Sequence, residues 1–306
     1  MASMFYSFSI AIFLSLAMIT ISAICQKHKI SDILFYCGTA AYCGLVAIRG
    51  ESGSDTFVYK LLYYGDINYS IFSEPGLISI FRLFNNLGFS FDTFIYFQGL
   101  ICFYSLFLMK KKAGNSAIIF YIIFFGLNID FSTLRQSIAL HLLVIIAFHI
   151  RGIWPSIFVT LIHYGAIFSL VLRTKWTFQI MLFLPIYIIG TLIFERYIDL
   201  TYVYFVRDDY TWFIQTAAIC FFLIAKGYGM INVALIGVLS YFPLGYRIIA
   251  FMIPIQTPRH VVGKREAITA LALLLVSPIK LYSYADQSIV NDQQRSVILY
   301  FEDYFK

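Results

Sequence analysis

The chain has 306 residues, 60% of them hydrophobic and 12% charged, with a formal net charge of +6 and a mean hydropathy of +0.81. A water-soluble domain carries about 25% charged residues and builds its core from far less apolar sequence, so a soluble globular protein is excluded. The basic residues stand singly or in short groups between apolar runs. That pattern reads as membrane topology and lipid-headgroup contact, and no nucleic-acid partner is expected.

A helix spans the hydrocarbon layer with about 20 residues. The first apolar run, Met4 to Ile24, has no basic residue before it and exceeds the roughly 7–15-residue core of a signal peptide, so it predicts a first transmembrane helix. Ile33 to Ile48 predicts a second. The longest polar interruption follows, Glu51 to Asp92, holding Ser54, Asp55, Tyr59, Glu74 and Pro75. Its semi-apolar part, Gly76 to Leu87, is short for a span and predicts a re-entrant or interfacial helix entered at Pro75.

Further spans are expected at Phe94 to Met109, Ala117 to Leu127, Ser137 to Ile150, Ile153 to Leu172, Phe178 to Phe194, Trp212 to Ala225, Met230 to Met252 and Ala267 to Leu281. The expectation is an all-α, polytopic transmembrane bundle of about ten spans, one integral membrane domain over residues 1–306 with a periplasm-facing loop or re-entrant segment around 50–92. If the basic groups at Lys27 and Lys29, at Lys110 to Lys112 and at Arg151 are cytoplasmic, the 50–92 segment and the turn from Asn128 to Arg135 face outward. The five cysteines form no CxxC pair and lie mostly in apolar runs, so they read as small hydrophobes. Neither a disulfide framework nor a metal cluster is expected.

Charges and imidazoles near membrane depth are costly and usually functional. Five stretches carry them: Arg49 to Thr56 with Tyr59 one turn on, Ser73 to Gly76, Leu134 to Ala139, Ile162 to Ala166, and Tyr246-Arg247. Each has a structural alternative. Arg49 and Arg135 can snorkel, Asp55 can cap a helix starting near Thr56, Glu74 can stabilise a helix N-terminus, and His163 can make a structural bond between helices. Arg247 is open to the same structural reading.

In order, these pieces are Arg49 with Asp55, Thr56 and Tyr59, then Glu74-Pro75-Gly76, then Leu134-Arg135-Gln136 with Ile138 and Ala139, then Ile162-His163-Tyr164 with Ala166. The set resembles the EpsG/Wzy-type family of bacterial polysaccharide polymerases over Arg49 to Leu172, with Arg247 a weaker match. The resemblance implies a multi-pass protein of the bacterial cytoplasmic membrane. Such a protein joins undecaprenyl-diphosphate-linked oligosaccharide repeats into O-antigen, capsule or exopolysaccharide. It implies no cofactor, no metal and no nucleotide sugar, with membrane lipids, a flippase and a chain-length regulator as partners.

The residues suit that chemistry. Arginines supply planar donors to a departing diphosphate, and a general base activates the acceptor hydroxyl. His163, Glu74 and Arg135 are the candidate catalytic residues, with His163 or Glu74 as base. Arg49, Asp55, Tyr59, Gln136, Tyr164 and Arg247 are the candidate substrate-binding residues. There is no P-loop, no HExxH and no D-x-D pair, which argues against ATP-driven transport, a zinc protease and a metal-dependent transferase. The competing class is a flippase for the same lipid-linked unit.

Overall fold

The computed structural model describes residues 2–25, 28–49, 56–65, 74–150, 154–163, 210–230 and 263–304, with isolated positions between 233 and 250. Among the described residues the chain is all-helical, without strands. The helices are α1 (Ala2–Ile24), α2 (His28–Ile48), α3 (Thr56–Tyr64), α4 (Pro75–Asn86), α5 (Phe91–Ala113), α6 (Asn115–Tyr121), α7 (Leu127–Ser132), α8 (Leu134–His149), α9 (Trp154–Thr160), α10 (Tyr210–Ala225) and α11 (Lys264–Tyr304). A π-helical segment, Ile122–Gly126, joins α6 to α7.

Four helices are long and apolar enough to cross a bilayer: Tyr6–Ile24, Lys29–Ile48, Phe91–Ala113 and Lys264–Ala285. By length and composition the chain is therefore a membrane protein. Their outward surfaces agree: Leu14, Leu100, Leu275 and Ile279 are each more than half exposed, a solvent-facing pattern that lipid tolerates and water does not. Asn115–Phe131, Leu134–His149 and Gln215–Ala225 are shorter apolar helices at three further expected spans. The expected span Phe178 to Phe194, half of Ile153 to Leu172 and most of Met230 to Met252 lie outside the described residues.

The long helices outrun the apolar runs that predicted them, because helix ends are set by caps. α5 starts three residues before Phe94, where Ser90 Oγ accepts from the Thr93 amide at 3.2 Å, and ends at Gly114, whose φ of 85° breaks the helix. α4 begins at Pro75, as expected from a first-turn proline, and α3 begins at Thr56.

Side-chain contacts sort the helix ends into two groups. At one end, Ser22 bonds Ser31, Lys110 pairs with Asp32, Asn115 reaches Ser22, and Glu266 accepts from Ser116 and Lys226. At the other, Tyr42 reaches Asp130, Tyr63 reaches Phe89, and Arg135 reaches Glu74. Lys29, Lys110 to Lys112, Lys264 and Arg265 belong to helix ends of the first group.

Candidate functional site

The sequence from Glu74 to Gly76 makes a helix start with an unusual cap. Glu74 occupies the N-cap position of α4 with extended backbone, yet its side chain makes no capping bond. The carboxylate turns instead toward two distant segments. Arg135 Nη1, from the first turn of α8, donates to both Glu74 oxygens at 2.9 and 3.0 Å. His163 Nδ1, just past α9, lies 3.3 Å from Glu74 Oε1. Glu74 is buried, while the side chains of Arg135 and His163 are 38% and 18% exposed, so the two bases cover the acid and keep an open edge.

Backbone geometry fixes this meeting. The Gly76 amide donates to the Leu161 carbonyl at 2.8 Å, tying α4 to the segment that carries His163. A Cβ on Gly76 would stand 2.7 Å from that carbonyl oxygen, so only glycine lets the two chains approach so closely. Burial alone would raise the Glu74 carboxyl. The hydrogen bond from His163 and the charge of Arg135 outweigh it and hold Glu74 below its ordinary value. The site is an ionised carboxylate braced by a guanidinium and an imidazole.

Arg49 follows α2 at the same end of the bundle. It does not snorkel: it is 4% exposed, and none of its three guanidinium nitrogens hydrogen-bonds any group among the described residues. Burial lowers it to about 10, against the pull of Asp130, so it stays cationic at neutral pH. Thr56 Oγ1 and Gln136 Nε2 are likewise buried without a hydrogen-bond partner among the described residues. Tyr59 is buried and packs edge-on against Phe81, inside an aromatic cluster of α3, α4 and α5 that includes Tyr63, Phe91 and Phe94. Asp55, Tyr164 and Arg247 lie outside the described residues.

A second polar cluster was not anticipated from the sequence. Asp130 on α7 accepts at Oδ1 from Ser137 (2.8 Å) and Tyr121 (3.0 Å), and at Oδ2 from Tyr42 (2.8 Å). His141 Nε2 is 2.8 Å from Oδ1, and Ser105 Oγ is 2.7 Å from His141 Nδ1. Cys102 Sγ stands 3.8 Å from Oδ2. Asp130, His141 and Cys102 are fully buried. Tyr121 and Asp130 are nine residues apart, about 2.5 turns of a regular helix, which would set them on opposite faces. The wider π turns between them rotate both onto one face. Gly126, in that segment, leaves room for Tyr42, whose hydroxyl would lie 2.5 Å from a Cβ there. The signal that singled out His163, an imidazole inside an apolar run, was also present at His141.

Comparison with family models, with curated proteins and with solved structures returns no match for this chain.

Proposed function

We propose that this protein is a bacterial cytoplasmic-membrane glycosyltransferase that polymerises undecaprenyl-diphosphate-linked oligosaccharide repeats at the outer face, for O-antigen or a related surface polysaccharide. The observation that carries the reading is the convergence of Glu74, Arg135 and His163, drawn from three segments up to 89 residues apart. These are residues of the pieces that resemble the polymerase family.

The geometry divides the roles. A His163 tautomer donating from Nδ1 to Glu74 makes Nε2 the proton-accepting nitrogen. Glu74 then orients the imidazole and stabilises its protonated form, and Arg135 keeps Glu74 ionised. Nε2 takes the proton of the acceptor sugar hydroxyl, whose oxygen forms the new bond to the donor's anomeric carbon. The anomeric carbon–oxygen bond to the lipid diphosphate breaks, and that oxygen keeps the electron pair. Arg135 is engaged by Glu74, so the diphosphate charge falls to Arg49, a buried cation without a hydrogen-bond partner among the described residues. Gln136 and Thr56 offer neutral donors at the same end. The lysine-rich ends of the first group, read as cytoplasmic by the positive-inside rule, support an outer-side location for this site.

The test is a deletion strain complemented with wild type, Arg135→Ala or His163→Ala, with surface polysaccharide length read on a gel. A single repeat in the deletion, a ladder with wild type and loss of the ladder with each variant support the reading. For His163→Ala, loss of a general base predicts a rate reduction of about 10²–10⁴-fold. Absence of even the single exported repeat in the deletion would assign the protein to transport of the same lipid-linked unit instead.

A further inference from the structure

Three helices send the side chains of Cys102, Asp130 and His141 to one point in the bundle core. Their thiol, carboxylate and imidazole ligand atoms all lie within 4.8 Å of one another. Nothing in the proposed transfer reaction uses them. We propose that Cys102, Asp130 and His141 form a structural site for a borderline-soft divalent metal ion, with zinc the best fit.

The donor set selects the metal class. A thiolate and an imidazole favour zinc-type ions over magnesium or calcium, which take oxygen ligands. Zinc bond lengths of about 2.0–2.3 Å set tetrahedral ligand atoms about 3.3–3.6 Å apart. Here the Oδ1–Nε2 separation is 2.8 Å and the Oδ2–Sγ separation is 3.8 Å, on the two oxygens of one carboxylate, and with the three ligand atoms within 4.8 Å of one another side-chain shifts of about an ångström bring them to a coordination sphere. The Tyr121 hydroxyl, 3.3 Å from Nε2 and 3.0 Å from Oδ1, stands beside the fourth position.

The outer partners also fit. A metal-bound histidine holds its other ring nitrogen against a hydrogen-bonding group, and Ser105 provides one at 2.7 Å from Nδ1. Because a hydroxyl both donates and accepts, Ser105 serves either tautomer. Without metal it donates to Nδ1 while Nε2–H donates to Asp130; with metal bound, Nδ1–H donates to Ser105 and the Nε2 lone pair faces the ion. Ser137 and Tyr42 hold the carboxylate. Binding displaces one proton, from the Cys102 thiol to bulk buffer. One divalent ion with one carboxylate and one thiolate is neutral, the charge state a low-dielectric core favours. The π-helical segment next to Tyr121 is a further mark of a built site.

The competing reading is a closed hydrogen-bond network, and the experiment separates the two. The full chain is expressed in defined medium with zinc, purified in detergent and dialysed, because a fully buried ion enters during folding. Metal content is read by mass spectrometry, and a parallel preparation uses cobalt for its thiolate charge-transfer band. The expected result is about one ion per chain and a cobalt–thiolate band. Cys102→Ser is expected to abolish the band and bring metal near background, while a control at the exposed His149, His149→Ala, keeps both. A well-folded wild-type chain holding less than roughly a tenth of an ion and showing no cobalt–thiolate band overturns the site, as does full zinc retention in Cys102→Ser. The wild-type measurement stands even if the variant fails to fold. The polysaccharide ladder is a separate readout, so failure of the metal site and failure of the polymerase reading are distinguishable.

Discussion

At the scale of single residues, Glu74 joins the two other residues of the candidate site. Its position before Pro75 is compatible with an ordinary helix cap, but the carboxylate caps nothing and serves Arg135 and His163. Because its folded value is depressed, the link contributes stability above the unfolded value and loses it as pH falls through the folded one. Thermal unfolding of the detergent-solubilised chain is therefore expected to show no pH dependence from this group between neutrality and about pH 5, where its contribution is fully present, and a falling midpoint at lower pH. Glu74→Gln is expected to flatten that acid limb and to cost about 1–3 kcal/mol at neutral pH, by leaving charged partners without their acceptor. An acid limb unchanged in the variant would remove Glu74 as its source. The sequence marked Glu74, Arg135 and His163 individually, by charge or imidazole near apolar runs. It did not mark Asp130, which read as part of an outward turn, although the side chain is fully buried.

At the scale of elements, the joint between α4 and the end of α9 decides whether the site exists. A methyl group at Gly76 meets backbone rather than a flexible side chain, so α4 must shift away from Leu161. Gly76→Ala is expected to lower stability by about 1–3 kcal/mol and to shorten the polysaccharide ladder as strongly as His163→Ala, while Arg135 still reaches Glu74. A full-length ladder would show that the joint does not position the base. The helix starts at Thr56 and Pro75 were legible because capping residues act within a few positions of themselves. The π turns before α7 were not, because nothing in Ile122 to Gly126 separates a π segment from an α-helix by composition.

At the scale of the whole molecule, membrane character follows from composition, and the proposed sidedness rests on the grouping of helix ends with the positive-inside rule. Fusions of alkaline phosphatase, active only outside the cytoplasm, are expected to be active after Gly65 and inactive after Lys112. The reverse pattern would turn the Glu74 site inward and remove the outer-face polymerase reading. By itself, the sequence determined that this is a helical membrane protein, where several helices start, and which charged residues stand near membrane depth. Apolar length, caps and isolated charges are local properties of the chain, and bilayer thickness turns them directly into helices. Only the tertiary structure decided which charges meet: that Arg135 is engaged by Glu74 while Arg49 is buried without a hydrogen-bond partner among the described residues, and that Cys102, Asp130 and His141 share one point. Those juxtapositions depend on helix packing and rotation across 11 to 89 residues of separation. Spacing along the chain carries no such information, because a glycine contact or a π turn can redirect a whole helix face.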